Sequence, residues 1–261
     1  MKRFYLAAVF LGIWLGRLSP AMGQEEDGDK IVFQKKEYRS ADGKTLPYRL
    51  VQPMDYDPQQ RYPLLLFLHG AGECGTDNEG QLTYGREFFI KAAIKHRSFV
   101  VAPQCPENVD KWTGMDEQSE PYRMAEQPNW PIRLARELIE SLTKQYPIDK
   151  DRIYVMGISM GGFGAWEMLC RYPDLFAAGV PICGGGDESK AGLLGSIAIR
   201  AFHGARDQTV PVERSRNMIK AIQQSGGKPE YTEYPDEDHE CWNKALADPA
   251  LPEWLYRQKR Q

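Results

Sequence analysis

The stretch "YVMGISMGGFGAW", residues 154–166, sets one serine among four glycines, after an apolar run and before an amphipathic one. Glycine weakens helices and strands alike, so its crowding around Ser159 marks either a plain tight turn or a strained elbow. The flanks decide between them. Gly157-Ile158-Ser159-Met160-Gly161 follows the apolar run "RIYVM" and opens a helical pattern, the strand–turn–helix setting that a G-x-S-x-G nucleophile needs. Side chains at the two flanking glycines would collide with the strand and helix that meet there. The helix N-terminus behind the serine offers free N–H groups and the positive end of a dipole. Ser159 therefore reads as a nucleophile, and Gly162 and Gly164 as places where the helix comes close to a sheet.

Around this junction, "YPLLLFLHG", "SFVVAPQ", "RIYVMGIS", "LFAAGVPICGG" and "IAIRAFHGARD" are short, nearly continuous apolar runs that end at glycine or polar clusters. Such runs belong to parallel strands buried on both faces. Upstream, "IVFQKKEYRS" and "LPYRLVQP" flank "ADGKT", whose Asp-Gly signals a hairpin turn. Helical segments separate the runs. Residues 131–146 carry Ile132, Ala135, Leu138, Ile139, Leu142 and Tyr146 at helical spacing, with Pro131 suited to a first turn. A second helix follows Ser159 with Phe163, Trp166, Leu169 and Cys170 on one face, and a third runs from Pro211 to Gly226-Gly227. A last strand, "EYTEYPD", precedes a C-terminal helix with Trp242 and Trp254. This order predicts an α/β fold: a mostly parallel central sheet, an antiparallel N-terminal edge and helices on both faces. Ligand sites in such sheets lie beyond the carboxyl ends of the strands.

With 42% hydrophobic residues among 261, the chain has material for one large domain. Its first 23 residues stand apart. A basic start, a short apolar run and small residues at Ala21 and Gly23 describe a secretory signal cleaved before Gln24. Arg17 and Pro20 cut that run short of the roughly 20 residues a membrane span needs. The expectation is a signal peptide over 1–23 and a single catalytic domain over 24–261, secreted or periplasmic, with no membrane span in the mature form. Losing Lys2, Arg3 and Arg17 takes the formal net charge of −3 three units lower. An acidic chain without a basic cluster is a poor partner for nucleic acid. Five cysteines include no close CxxC pair of the kind that zinc or redox sites use. Two bridges, Cys74–Cys105 and Cys183–Cys241, and a fully reduced set stand as open readings.

A serine hydroxyl needs a base, and the base needs an orienting acid. His96 lies in the charged stretch "KAAIKHR" and reads as a surface residue, while His69 and His203 each end an apolar strand and read as turn residues. His239, after the last strand in "YPDEDHECW", is placed to hang an imidazole over Ser159. Asp207 follows the penultimate strand and is the candidate acid, with Asp187 one strand earlier as the alternative. Asp236, Glu237 and Asp238 are too close to His239 in sequence to reach its far nitrogen, and read as a solvated loop. One oxyanion donor is expected from the N–H of Met160. The other should come from the turn His69-Gly70-Ala71-Gly72, at Ala71 or, as the alternative, Gly72. Residues 105–130 form a long segment after a strand's carboxyl end, where it should overhang the site. Its Trp112 and Trp130 read either as a stacking surface for a sugar or phenolic ring or as anchors of the segment to the body. Asp236, Asp238, His239 and Glu240 lack metal-ligand spacing, and no metal or cofactor is expected.

Taken together, "LFLHGAGECGTDN", "VVAPQCP", "GISMGGFGAW", "PICGGGD" and "FHGARDQTVPVERS", with the His239 loop, resemble secreted serine esterases of the α/β-hydrolase fold. These are related to the phospholipase/carboxylesterase, polyhydroxybutyrate-depolymerase-like and feruloyl or acetyl xylan esterase groups. The resemblance spans residues 45–258. It implies hydrolysis of carboxylic esters through an acyl-enzyme, and puts Ser159, Asp207 and His239 on the family's triad positions in nucleophile–acid–base order. Export favours substrates outside the cytoplasm, such as acyl or feruloyl esters on plant or algal polysaccharide. Cys74 departs from the pattern, which has a basic residue after "GAGE". The alternatives are a small prolyl-oligopeptidase-like serine peptidase and a catalytically inactive binding module on the same fold.

Overall fold

Successive side chains of a strand point to opposite faces, so a continuous apolar run needs cover on both. The computed structural model describes residues 30–260, apart from 108–110, 115 and 118. The leader reading over 1–23 lies outside the described residues. Strands β1 (Phe33–Arg39) and β2 (Thr45–Val51) form the predicted hairpin, and β2 is also antiparallel to β4 (Phe99–Pro103). Parallel to β4 run β3 (Tyr62–Leu68), β5 (Ile148–Ile158), β6 (Ala178–Ile182), β7 (Ala198–Gly204) and β8 (Glu230–Tyr234). The eight strands make one sheet in the order β1-β2-β4-β3-β5-β6-β7-β8. This is the mostly parallel sheet with an antiparallel N-terminal edge that the sequence predicts.

Both faces are covered. Leu64, Leu66 and Leu68 of β3 and Ile153 and Val155 of β5 join the core on one side. Leu65, Phe67, Tyr154, Met156 and Ile158 join the core on the other. The first core is roofed by α2 (Trp130–Gln145), α3 (Met160–Arg171) and α4 (Glu213–Gln224). The second is roofed by α1 (Arg86–Lys95), α5 (Trp242–Ala247) and α6 (Ala250–Arg257). Asn129 caps α2 by accepting the Trp130 N–H at 2.9 Å, with Pro131 in the first turn.

Two helices differ from expectation. The C-terminal helix is two pieces, because Asp248 precedes Pro249 and is held in an extended conformation (ψ 112°). The Asp248 carboxylate then accepts the Ala250 N–H at 2.8 Å and starts α6 afresh. Helix α3 is buried all round from Met160 to Cys170, not on one face. It lies on the sheet, and the segment after β4 crosses over it.

Both ends of the described chain lie towards the amino ends of the parallel strands, one at the sheet's edge and one near its middle. Phe33 pairs with Val51, and Val51 with Val100 near the start of β4. At the other end, the Arg260 N–H donates to Asp151 O (2.8 Å) and the Tyr154 hydroxyl to Gln258 O (2.7 Å), in the amino half of β5. Among the described residues no helix is long and apolar enough to cross a membrane.

Candidate active site

Ser159 joins β5 to α3 with φ 52° and ψ −120°, in the left-handed region that side chains other than glycine seldom adopt. Its N–H donates to Ile182 O at 3.0 Å, and its carbonyl accepts from Gly162 and Phe163 N–H at 2.7 and 3.1 Å. Glycine is required on either side. A Cβ on Gly157 would lie 2.0 Å from Gly161 O, and one on Gly161 would lie 2.0 Å from Leu68 O. The sequence reading of the elbow and the backbone agree.

Ser159 stands at the carboxyl end of β5, Asp207 beyond that of β7, and His239 beyond that of β8. The turns bring the three together. Ser159 Oγ lies 2.8 Å from His239 Nε2, and His239 Nδ1–H donates to Asp207 Oδ2 at 2.7 Å. A carboxylate opposite Nδ1 keeps the proton there and leaves the Nε2 lone pair for the serine. Asp207 is saturated with donors: Oδ1 accepts Thr209 and Val210 N–H, each at 2.9 Å, and Oδ2 also faces His203 Nε2 at 3.2 Å. Burial opposes its ionisation, but the hydrogen bonds from His203, His239 and Val210 outweigh burial and hold its carboxyl well below the usual range.

The turn after β3 supplies the neighbouring backbone. Ala71–Glu73 forms one 3-10 turn, and a Cβ on Gly70 would touch Ser159 Cβ at 3.6 Å. Ala71 is exposed at its head. Across from it, Met160 is the first residue of α3, where a helix has no acceptor of its own for the N–H. His69 anchors this turn from below: its Nδ1–H donates to Gly70 O at 2.6 Å and its Nε2 accepts Cys105 N–H at 2.9 Å. Burial pushes the His69 pKa down to about 4, so the ring is neutral and occupied. It is the turn residue that the sequence suggests.

The structure places the alternative acids away from the His239 ring nitrogens. The Asp187 carboxylate accepts Ser189 N–H (3.0 Å), Ser189 Oγ–H (2.6 Å) and Met124 N–H (3.1 Å), with Arg123 at 3.5 Å. It tethers the segment after β4. Asp236 pairs with Arg206 (2.6 Å), Glu237 with Lys244 (3.1 Å), and Asp238 accepts Glu240 N–H (3.1 Å); these are the solvated acids of the loop.

Two expectations need correction. Trp112 is fully buried, its N–H donating to His69 O at 3.0 Å and its ring edge-on to the His69 ring. No face is left for a substrate. Trp130 begins α2, packs against the core and has Lys44 5.8 Å over its ring, out at the β1–β2 turn. Both are anchors. His96 also departs from a surface role, since its ring stacks on Tyr256 at 4.4 Å.

Three residues near the centre escape sequence reading. His203, four before Asp207, shares that carboxylate and also bonds Val210 O and Ser215 Oγ. The only sequence signal is the spacing in "FHGARD". Trp242 presents an edge contact to the His239 ring at 5.2 Å and to Tyr84 at 5.3 Å. Glu73 folds back so that Oε2 would meet a Gly70 Cβ at 3.0 Å, close to the nucleophile.

The chain is similar to known esterases in sequence and in fold. A family model described as "Putative esterase" matches residues 43–183, more than half the chain. A solved structure titled a thermostable esterase is 37% identical with a TM-score of 0.80, over 90% of this chain and 64% of that one. A ferulic acid esterase superposes with a TM-score of 0.66 at 18% identity, over 87% of this chain and 98% of that one, and shows the shared fold. Among curated relatives, "Putative esterase NocK" of Nocardia uniformis subsp. tsuyamanensis is 27% identical over 66% of this chain and 48% of its own length. The chain spans half or less of the length of the curated relatives it matches. With an elbow serine, a hydrogen-bonded histidine and aspartate, and a family match across β2 to β6, the chain belongs to this esterase family of the α/β-hydrolase fold.

Proposed function

We propose that the protein is a serine carboxylesterase working through an acyl-enzyme. The observation that carries this reading is the hydrogen-bonded series Ser159 Oγ, His239 Nε2, His239 Nδ1 and Asp207 Oδ2 on a strained elbow. Ser159 Oγ attacks the ester carbonyl carbon while its proton passes to His239 Nε2. Asp207, ionised by its hydrogen bonds, stabilises the imidazolium. The carbonyl oxygen becomes an oxyanion held by the N–H groups of Met160 and Ala71, and one such donor is worth roughly 10²–10³ in turnover. Collapse breaks the bond to the alcohol, which leaves with the proton from His239. Water then repeats the sequence on the acyl-enzyme and releases the acid.

The leader reading supports a place outside the cytoplasm, and with it acyl or feruloyl esters on plant or algal polysaccharide as substrates. Trp112 is buried and half-buried Trp130 has Lys44 over its ring at the β1–β2 turn, so neither is assigned as the platform for a ring. Half-buried Tyr84, against Trp242 beside His239, is the aromatic surface we assign to it. Labelling with a fluorophosphonate should modify Ser159 and no other residue, and Ser159→Ala should abolish both labelling and hydrolysis of a chromogenic short-chain ester. Retained hydrolysis in that variant overturns the mechanism, and an unlabelled wild type favours an inactive binding module. Acetylated xylan, feruloylated oligosaccharides, simple aryl esters and an aminoacyl anilide tested side by side rank the substrate class against a peptidase.

A further inference from the structure

We propose that Cys74–Cys105 and Cys183–Cys241 are two disulfide sites, each tying one turn of the catalytic centre to the carboxyl end of a neighbouring strand. All five cysteines of the structure are thiols, but four of them are arranged in pairs. Cys74 precedes the residue whose N–H donates to Cys105 O, so its thiol faces that of Cys105. Cys183 and Cys241 share one buried cluster, with Cys183 Sγ beside the ring of His239, two residues before Cys241. Cys105, Cys183 and Cys241 are wholly buried. Beside the first pair the backbones run together, with Gly75 N–H donating to Cys105 O at 3.0 Å. Facing thiols form the roughly 2.05 Å bond of a disulfide by side-chain rotation, without moving the backbone apart.

The positions are what give the pairs a role. Cys74 closes the 3-10 turn Ala71–Glu73 that faces Ser159, and Cys105 follows the end of β4. Cys241 ends the short turn that begins with His239, and Cys183 follows directly on β6. Cys183 Sγ, a carboxylate oxygen of Asp207 and a ring nitrogen of His239 lie within 4.8 Å of one another. A bond at this point holds the histidine's turn against the strand next to the nucleophile's own. Cys183 also has φ 42°, so its thiol is aimed by an uncommon backbone conformation. Cys170, on buried α3, is left as a single thiol.

Chemically, each pair forms one S–S bond and gives up two protons and two electrons. The oxidant is a low-molecular-weight disulfide such as oxidised glutathione, whose S–S bond is reduced to two thiols. Half-exposed Cys74 is the entry point for exchange in its pair: the facing Cys105 thiol holds its own below the usual range. The buried second pair closes as the chain folds. Such an environment follows from the export reading, but the chemistry can be tested without it and without reference to catalysis.

The purified full chain, folded in a glutathione buffer, should fall from five titratable thiols to one on denaturation. Peptide mapping without reductant should find the 74–105 and 183–241 links. The thermal midpoint should drop by roughly 5–10 °C on reduction, and the double variants Cys74→Ser/Cys105→Ser and Cys183→Ser/Cys241→Ser should each retain the other link. Five thiols after oxidation, or links in any other pairing, overturn the proposal. Because thiol counting and mapping on the wild type do not depend on activity, a failed esterase assay and a failed pairing are separate results.

Discussion

Asp207 shows how much of a catalytic side chain's behaviour is set by atoms far from it in sequence. Four donors surround its carboxylate, and two of them are backbone N–H groups of its own loop. Asp207→Asn should lower kcat on a short-chain ester by about 10⁴, through loss of the imidazolium's partner and of the correct tautomer. A fall below tenfold, in a variant whose circular dichroism is unchanged, would remove Asp207 from the mechanism. Asp207 is a candidate from its place after a penultimate strand, and only the hydrogen bonds that each makes separate it from Asp187 as the partner of His239. His203 was not readable in this role. A histidine ending an apolar strand looks like a turn residue until the loop curls Asp207 back onto its Nε2.

At the scale of elements, the sheet was legible because its apolar runs had no polar alternation to hide them. The helices were less so, since periodicity reports one buried face and says nothing of a second cover. That is why α3 read as amphipathic, when the crossing segment buries its other side. Trp112 is the pin of that segment: its side chain rests on Gly164, where an added Cβ would come within 3.2 Å of the Trp112 Cβ and 3.4 Å of its ring Cγ, and its ring rests on His69. Tyr122, on the Phe163 ring at 5.3 Å, and the Arg214 guanidinium, donating to Ser119 O at 2.8 Å, fasten it further along. Trp112→Ala should cost about 3–5 kcal/mol in denaturant unfolding. A cost under 1 kcal/mol would mean that the ring is not the anchor. Proline at 249 was visible in the sequence, yet the helix break there depends on Asp248 turning extended, a local effect that the flanking tryptophans mask.

The molecule as a whole should lose stability on acidification from pH 6.5 towards 4, and His69 contributes to that loss. Its folded pKa of about 4 lies below the ordinary histidine value of about 6.5 because burial disfavours the charged ring. The unfolded chain therefore binds the extra proton first, so the contribution is complete above pH 6.5 and is lost as pH falls towards 4. Urea midpoints measured across that window should decline, and His69→Gln, which keeps an acceptor for Cys105 N–H, should flatten the decline. An identical decline in the variant would assign it elsewhere. All the chemistry sits at the carboxyl edge of the sheet, whereas residues 33 and 260 emerge at the amino edge. A tether that starts from residue 33 or 260 therefore leaves from the edge opposite the triad, and immobilisation through either should leave Ser159 open to substrate.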